Sequence, residues 1–110
     1  MDLRLQGRTA LITGGSKGIG LSVAEHFAAE LVGRFEADRA ALPVLALGTA
    51  GATMTAIAND SGFEAVFARQ VQAFARPGDV LLAISTSGRS ANVIAAAKAA
   101  RDQGCAVWQN

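Results

Sequence analysis

Short apolar runs alternate along the chain with longer stretches in which apolar residues recur every three or four positions. The short runs predict strands buried on both faces, and the periodic stretches predict amphipathic helices. Strands are predicted at residues 8–13, 44–47, 80–84 and 105–108. Helices are predicted at residues 18–35, 49–59, 63–75 and 90–103. Strands that alternate with helices form βαβ units, so we predict an α/β fold, a three-layer α/β/α sandwich around a parallel sheet of four strands.

Local signals mark several ends of these elements. The sequence Arg76-Pro77-Gly78-Asp79 predicts a turn before the third strand. Ser90 is a candidate N-cap for the last helix, and Gly104 is a candidate stop signal at its end. A further break is expected over residues 59–62.

Composition narrows the class of protein. The chain has 110 residues, 51% hydrophobic and 17% charged, which favours one domain over residues 1–110. Its net charge of +1 is spread without a basic stripe, so we expect no nucleic acid partner. No apolar run approaches the roughly 20 residues that cross a bilayer, and no secretory segment is evident, so we expect no membrane partner and a cytoplasmic location.

A glycine-rich loop follows the first strand. Glycines between a strand and a helix let the backbone turn tightly and present free N–H groups to a phosphate. The alternative interpretation is that these glycines only make a tight connection. The candidate binding residues are Gly14, Ser16, Lys17, Gly18, Ile19 and Gly20.

A serine-rich loop follows the third strand and leads into the last helix. Its hydroxyl groups, its backbone N–H groups and a helix N-terminus converge on one place, which predicts a site for a phosphate or a sugar phosphate. A serine-rich turn that only caps the helix would have the same sequence. The candidate phosphate residues are Ser85, Thr86, Ser87 and Ser90.

Residues 1–25 resemble the N-terminal strand and helix of the short-chain dehydrogenase/reductase family, through the string Thr13-Gly-Gly-Ser-Lys-Gly-Ile-Gly20 and the residues before it. The resemblance implies a loop that holds a dinucleotide diphosphate, with Lys17 associated with NADP. The chain has no tyrosine, which that family's catalysis requires, and its second strand ends in Gly48-Thr49 without an acidic residue for the ribose. We therefore expect no dehydrogenase activity.

Residues 24–108 are similar to the sedoheptulose 7-phosphate isomerase (phosphoheptose isomerase) family of sugar-isomerase (SIS) domains. The similarity is carried by the stretches 24–35, 55–63 and 78–88. It implies the strand order 2-1-3-4, and it implies that the serine-rich loop contacts the phosphate and the sugar, with Arg89 where the family usually has asparagine. It also implies a substrate-side carboxylate at Asp60, and a metal ligand and acid–base pair at His26 and Glu30.

His26 and Glu30 also invite a simpler interpretation. Residues four apart on a helix share a face, so the imidazole and the carboxylate could share a metal or pass a proton. Two ligands do not complete a zinc site, and we therefore favour a local hydrogen bond or packing at the edge of the core. His26, Glu30 and Asp60 are accordingly weak catalytic candidates, and no metal site is predicted.

The two resemblances meet near residues 21–26, and the segments that complete the isomerase site lie beyond the fourth strand in that family. We therefore predict a recombined or designed chimera of parts 1–25 and 26–110, a scaffold with vestigial phosphate loops rather than an enzyme. No cofactor is expected, and NADP or phosphate would bind with low affinity. The alternatives are a module that binds sugar phosphate or NADP, and a residual sedoheptulose 7-phosphate isomerase. The apolar strand 105–108, at the edge of the sheet, predicts a homodimer.

Overall fold

The structure is a computed structural model that describes residues 8–13, 25–26, 29, 44–49, 51–84 and 90–109. The strands are β1 (Ala10–Ile12), β2 (Val44–Ala46), β3 (Val80–Ala83) and β4 (Ala106–Gln109). The helices are α1 (Gly51–Ser61), α2 (Val66–Phe74) and α3 (Ala91–Asp102), with single 3₁₀ turns at Leu47–Thr49 and Phe63–Ala65. Glu25, His26 and Ala29 are also helical.

The four strands form one parallel sheet in the order β2-β1-β3-β4. Leu11 of β1 lies in register with Leu45 on one side and Leu81 on the other, and Leu82 of β3 lies beside Trp108 of β4. The predicted α/β fold and its strand order are therefore confirmed. In this order the chain reverses direction across the sheet between β1 and β3, which makes their carboxyl ends the place where a ligand is expected.

Successive side chains of a β-strand point to opposite faces of the sheet, so neighbouring strand residues lie in cores on opposite faces. Leu11 and Leu81 face the larger core, which the three described helices cover. Ile12 and Ala46 are buried on the other face. The larger core contains the buried residues Leu11, Leu47, Met54, Val66, Phe67, Val71, Leu81, Ala83, Val93, Ala96, Ala97, Ala99, Ala100 and Cys105.

The alanines of α3 allow it to lie close to its neighbours. Ala96 and Ala100 are fully buried, and Phe67 of α2 fills the adjoining space with no exposed surface. At the far end of this helix pair, the Gln103 side-chain amide donates to the Val71 and Ala75 carbonyls at 3.3 and 2.9 Å, which satisfies carbonyls at the end of α2. The position of α3, and with it the position of its first residue, is thus fixed by packing and by hydrogen bonds.

Two of the predicted local signals are confirmed. Pro77 and Gly78 form a tight turn, with the Asp79 N–H donating to the Arg76 carbonyl at 3.0 Å and Gly78 at φ 91°. Gly104 ends α3 at φ 81°, where the positive angle favours glycine.

Some predicted boundaries shift. Asn59 and Asp60 belong to α1, and the break comes at Gly62, whose φ of 89° turns the chain. The helix predicted at 63–75 opens with a 3₁₀ turn before α2, and the last strand lies one residue later than predicted. The predicted helix 18–35 lies outside the described residues except at 25–26 and 29, which are helical. Within the described ranges, no helix is long and apolar enough to span a membrane.

Candidate functional site

The carboxyl ends of β1 and β3 are joined by Thr13, which follows β1 directly. The Thr13 N–H donates to the Leu82 carbonyl at 3.0 Å, and the Ile84 N–H donates to the Thr13 hydroxyl at 3.0 Å. The hydroxyl in turn lies 3.5 Å from the Ile84 carbonyl oxygen. Thr13 has no exposed surface, so water does not compete for these bonds.

This junction brings the starts of the two predicted loops together. The glycine-rich loop begins at residue 14 and the serine-rich loop at residue 85, one residue beyond Thr13 and Ile84 respectively. The loop residues themselves lie outside the described part of the chain: Gly14, Ser16, Lys17, Gly18, Ile19, Gly20, Ser85, Thr86 and Ser87. Their roles as phosphate ligands therefore stay predictions, and the structure shows only that the described residues before them, Thr13 and Ile84, are hydrogen-bonded to each other.

Ser90 occupies the N-cap position of α3, as predicted. Its carbonyl accepts from the Val93 and Ile94 N–H groups at 3.1 and 3.0 Å, and its side chain makes no capping hydrogen bond. The first turn of α3 has no acidic residue, so no carboxylate of that turn offsets the positive end of the helix dipole. The start of a helix of 12 residues, fronted by a half-buried serine, is a suitable environment for an anion.

The structure describes two of the three remaining catalytic candidates. His26 is helical and exposed, and Asp60 is exposed in the last turn of α1. Glu30 lies outside the described residues. Across the parts of the chain that the structure describes, no three His, Cys, Asp or Glu side chains come together as a metal site.

A pocket beside α1 was not predicted from the sequence. It is open to solvent and has a volume of about 350 Å³. Its described lining consists of Gly48, Gly51, Met54, Thr55, Ala58, Asn59 and Phe63. In the sequence, Met54 and Ala58 are four positions apart and would share a helix face, with Gly48 and Gly51 before them and Phe63 after them. This pattern is the signal that could have indicated the pocket. Neither Ser90 nor Asp60 is among these lining residues.

Cys105 lies just before β4, at the amino-terminal end of that strand and away from the carboxyl ends of β1 and β3. Its thiol donates to the Arg76 carbonyl at 3.3 Å, and the side chain is 8% exposed. Burial, with a smaller contribution from the Asp79 carboxylate, raises the pKa of this thiol above its ordinary value of 9.0. A thiol held in its protonated form is a poor nucleophile, so we assign Cys105 a packing role.

Comparison with known proteins connects this geometry to a family. The SIS domain family model matches residues 6–108. Over 81 residues the chain is 63% identical to a phosphoheptose isomerase from Crocosphaera subtropica, with 74% of this chain and 41% of that protein covered. Over 82 residues it is 61% identical to a phosphoheptose isomerase from Solidesulfovibrio magneticus, with 74% of this chain and 40% of that protein covered.

A solved structure shows the same fold. Phosphoheptose isomerase from Neisseria gonorrhoeae matches 96% of this chain with a TM-score of 0.82 and 44% identity, over 53% of its own length. The chain thus spans about two fifths of the curated relatives it matches and about half of this structure.

These matches overturn the predicted chimera and the functionless scaffold. One family model extends from residue 6 through the supposed junction at 21–26, and the structural match covers 96% of the chain. The glycine-rich loop misled the prediction for a physical reason. Glycine is favoured in any α/β family where a buried strand turns tightly into a helix, so the pattern does not distinguish a dehydrogenase from an isomerase. Because the model matches nearly the whole chain, the chain belongs to the SIS domain family.

Proposed function

We propose that the chain binds a phosphorylated heptose at the carboxyl edge of its sheet and takes part in isomerising that sugar. One structural observation carries the proposal: Thr13 and Ile84 are hydrogen-bonded where both candidate loops leave the sheet. The relatives at 61–63% identity that carry the name phosphoheptose isomerase supply the class of substrate.

The phosphate is the part of the substrate for which this chain offers the clearest partners. Ser85, Thr86, Ser87 and Ser90 would donate hydroxyl or backbone hydrogen bonds to its oxygens, and the N-terminus of α3 would add the positive end of a helix dipole. Neutral donors of this kind hold a dianion without a lysine, which suits a substrate that has to be released after each turnover. Backbone N–H groups of residues 14–20 would face the same ligand from the β1 side.

The isomerisation itself needs groups that move a proton between neighbouring carbons of the sugar. We assign this work to His26 and Glu30, four positions apart in the sequence, and place the Asp60 carboxylate against the sugar hydroxyls. These roles follow the family resemblance, and the exposure of His26 and Asp60 leaves both side chains accessible to a ligand. A phosphorylated sugar is too highly charged to cross a bilayer readily, so we also propose a cytoplasmic location.

Titration calorimetry on the 110-residue chain tests binding separately from turnover. Sedoheptulose 7-phosphate should release heat, and Ser87→Ala should weaken its affinity by about 10-fold, the factor for one lost hydrogen bond of about 1.4 kcal/mol. Thr53→Ala, a comparable hydroxyl removal on the exposed part of α1, is the matched control and should leave the affinity unchanged.

NADP is the comparison ligand in the same titration. Binding of NADP that depends on Lys17, with no heat from sedoheptulose 7-phosphate, would contradict the proposal. A parallel assay follows the consumption of sedoheptulose 7-phosphate, and His26→Ala should abolish any turnover that the chain supports while leaving phosphate binding in place.

A further inference from the structure

Gln70 is a buried polar residue that joins α2 to α1. Its side-chain nitrogen donates to the Val66 carbonyl in α2 at 2.9 Å, and to the Met54 sulfur in α1 at 3.3 Å. The bond to the carbonyl fixes which end of the amide is the nitrogen, because an amide oxygen in its place would repel the Val66 oxygen. Gln70 is 3% exposed, so water does not compete for these bonds. One N–H of a buried amide therefore has a thioether as its partner.

A thioether is a weak partner for such a donor. Methionine sulfur accepts hydrogen bonds poorly, whereas a buried N–H needs a good acceptor to recover the cost of leaving water. A sulfoxide is polar, and its oxygen is a much stronger acceptor than the sulfur of a thioether. Oxidation of a methionine among apolar neighbours buries that oxygen without a donor, but oxidation of Met54 would give the Gln70 N–H a better partner than it has now.

The pocket beside α1 gives an oxidant a route to Met54. The Met54 side chain is 8% exposed and belongs to the lining of this pocket, which opens to solvent and has a volume of about 350 Å³. Hydrogen peroxide is only slightly larger than water, so a pocket of this volume admits it without unfolding of the chain.

We propose that Met54 is a site of reversible oxidation by peroxides, and that the Gln70 amide binds the sulfoxide oxygen in the folded chain. A sulfur lone pair attacks one oxygen of hydrogen peroxide, so that an S–O bond forms and the O–O bond breaks. The departing hydroxide takes the proton from the transferred oxygen and leaves as water. Sulfur is thereby oxidised by two electrons and the peroxide is reduced, and methionine sulfoxide reductases reverse such an oxidation. The proposal is independent of the sugar phosphate site.

Peptide mapping of the folded chain after treatment with hydrogen peroxide tests whether Met54 reacts. Trypsin should release residues 40–69, which contain Met54 and no cysteine, tryptophan or second methionine, and residues 1–4, which contain Met1 as a reference. We expect the peptide 40–69 to gain one oxygen atom while circular dichroism shows that the chain stays folded. A peptide 40–69 that remains unoxidised after Met1 is fully converted would overturn the proposal.

Thermal unfolding of the oxidised and reduced chains tests the role of Gln70. Gln70→Leu removes the amide, and Gln72→Leu, at an exposed glutamine of the same helix, is the matched control. Oxidation should lower the Tm by about 5 °C more in Gln70→Leu than in the wild type or in Gln72→Leu, because the sulfoxide oxygen then lacks its donor. The double variant with Met54→Leu should not show this extra loss. An equal loss in Gln70→Leu and the wild type, or an extra loss that persists in the double variant, would overturn the proposal.

NMR of the wild-type chain, with ¹⁵N in its glutamine side chains, tests the new hydrogen bond without any substitution. The Gln70 side-chain proton that bonds Met54 should move downfield on oxidation, because a bond to oxygen replaces a weaker bond to sulfur. The side-chain protons of the exposed Gln72 are the internal reference and should not move. A Gln70 signal that stays in place or moves upfield would overturn the proposal, and this result would stand even if Gln70→Leu failed to fold.

Discussion

Asp79 lies at the amino-terminal ends of β1 and β3, the end of the sheet opposite the candidate site. Removing its carboxylate should destabilise the chain. One carboxylate oxygen accepts from the Thr9 N–H and the other from the Arg76 N–H, both at 2.8 Å. The side chain is 5% exposed. It therefore connects the approach to β1, the turn at Pro77-Gly78 and the start of β3.

The size of the effect follows from these two bonds. A hydrogen bond to a charged group contributes about 1.5–3 kcal/mol, and most of this is lost only where water cannot replace the partner. Thr9 is half-buried and Arg76 is exposed, so the loss falls mainly on the Thr9 side. We expect Asp79→Ala to lower the free energy of unfolding by about 3 kcal/mol. Asp79→Asn, which keeps one acceptor oxygen, should lower it by about 1.5 kcal/mol.

Urea unfolding followed by far-UV circular dichroism measures this difference. Asp102→Ala is the matched control, because Asp102 is exposed at the end of α3 and its removal should change the free energy of unfolding by less than about 0.5 kcal/mol. The affinity of the folded Asp79→Asn chain for sedoheptulose 7-phosphate should equal that of the wild type, since Asp79 lies at the amino-terminal ends of the strands and the proposed site lies at their carboxyl ends. An Asp79→Ala chain as stable as Asp102→Ala would refute the reasoning.

Three further outcomes follow from burial and charge. Phe67 has no exposed surface, so Phe67→Ala should lower the free energy of unfolding in urea by about 3–5 kcal/mol. Phe74 on the same helix is 54% exposed, so Phe74→Ala should lower it by less than about 1 kcal/mol. Equal losses would contradict the described core. Because burial raises the pKa of the Cys105 thiol, this thiol loses its proton at a lower pH in the unfolded chain than in the folded chain. The free energy of unfolding should therefore decline as the pH rises above about 9, and Cys105→Ala should remove this part of the decline. Trp108→Lys places a charge on the exposed part of β4 and should shift any homodimer formed through this edge toward monomer in light scattering; an unchanged mass would count against the edge interface.

Periodicity and turn chemistry were sufficient to predict most of the fold. Gly104 illustrates why: the Gly104 N–H donates to the Arg101 carbonyl and the Cys105 N–H to the Ala100 carbonyl, an arrangement that needs a residue with positive φ at position 104. The turn at Pro77-Gly78 is specified in the same local way. Asn59 and Asp60 misled the prediction, because their turn preference is weak and α1 continues through them to Ser61.

The site was harder to predict because its central feature is not local. Thr13 and Ile84 are 71 positions apart in the sequence, and nothing in either segment indicates that the Thr13 hydroxyl accepts a hydrogen bond from the Ile84 N–H. The apolar run around Thr13 predicts a strand end and no more. The family was also obscured at the glycine-rich loop, where the need for a tight turn gives unrelated α/β proteins similar residues.

The central claim is that the segments following β1 and β3 hold one phosphate between them, and an NMR titration of the ¹⁵N-labelled chain with sedoheptulose 7-phosphate tests it most directly. The account predicts that amide signals from residues 14–20 and from residues 85–90 shift together and yield the same Kd. Shifts confined to one segment, or two segments that saturate with different Kd values, would contradict it.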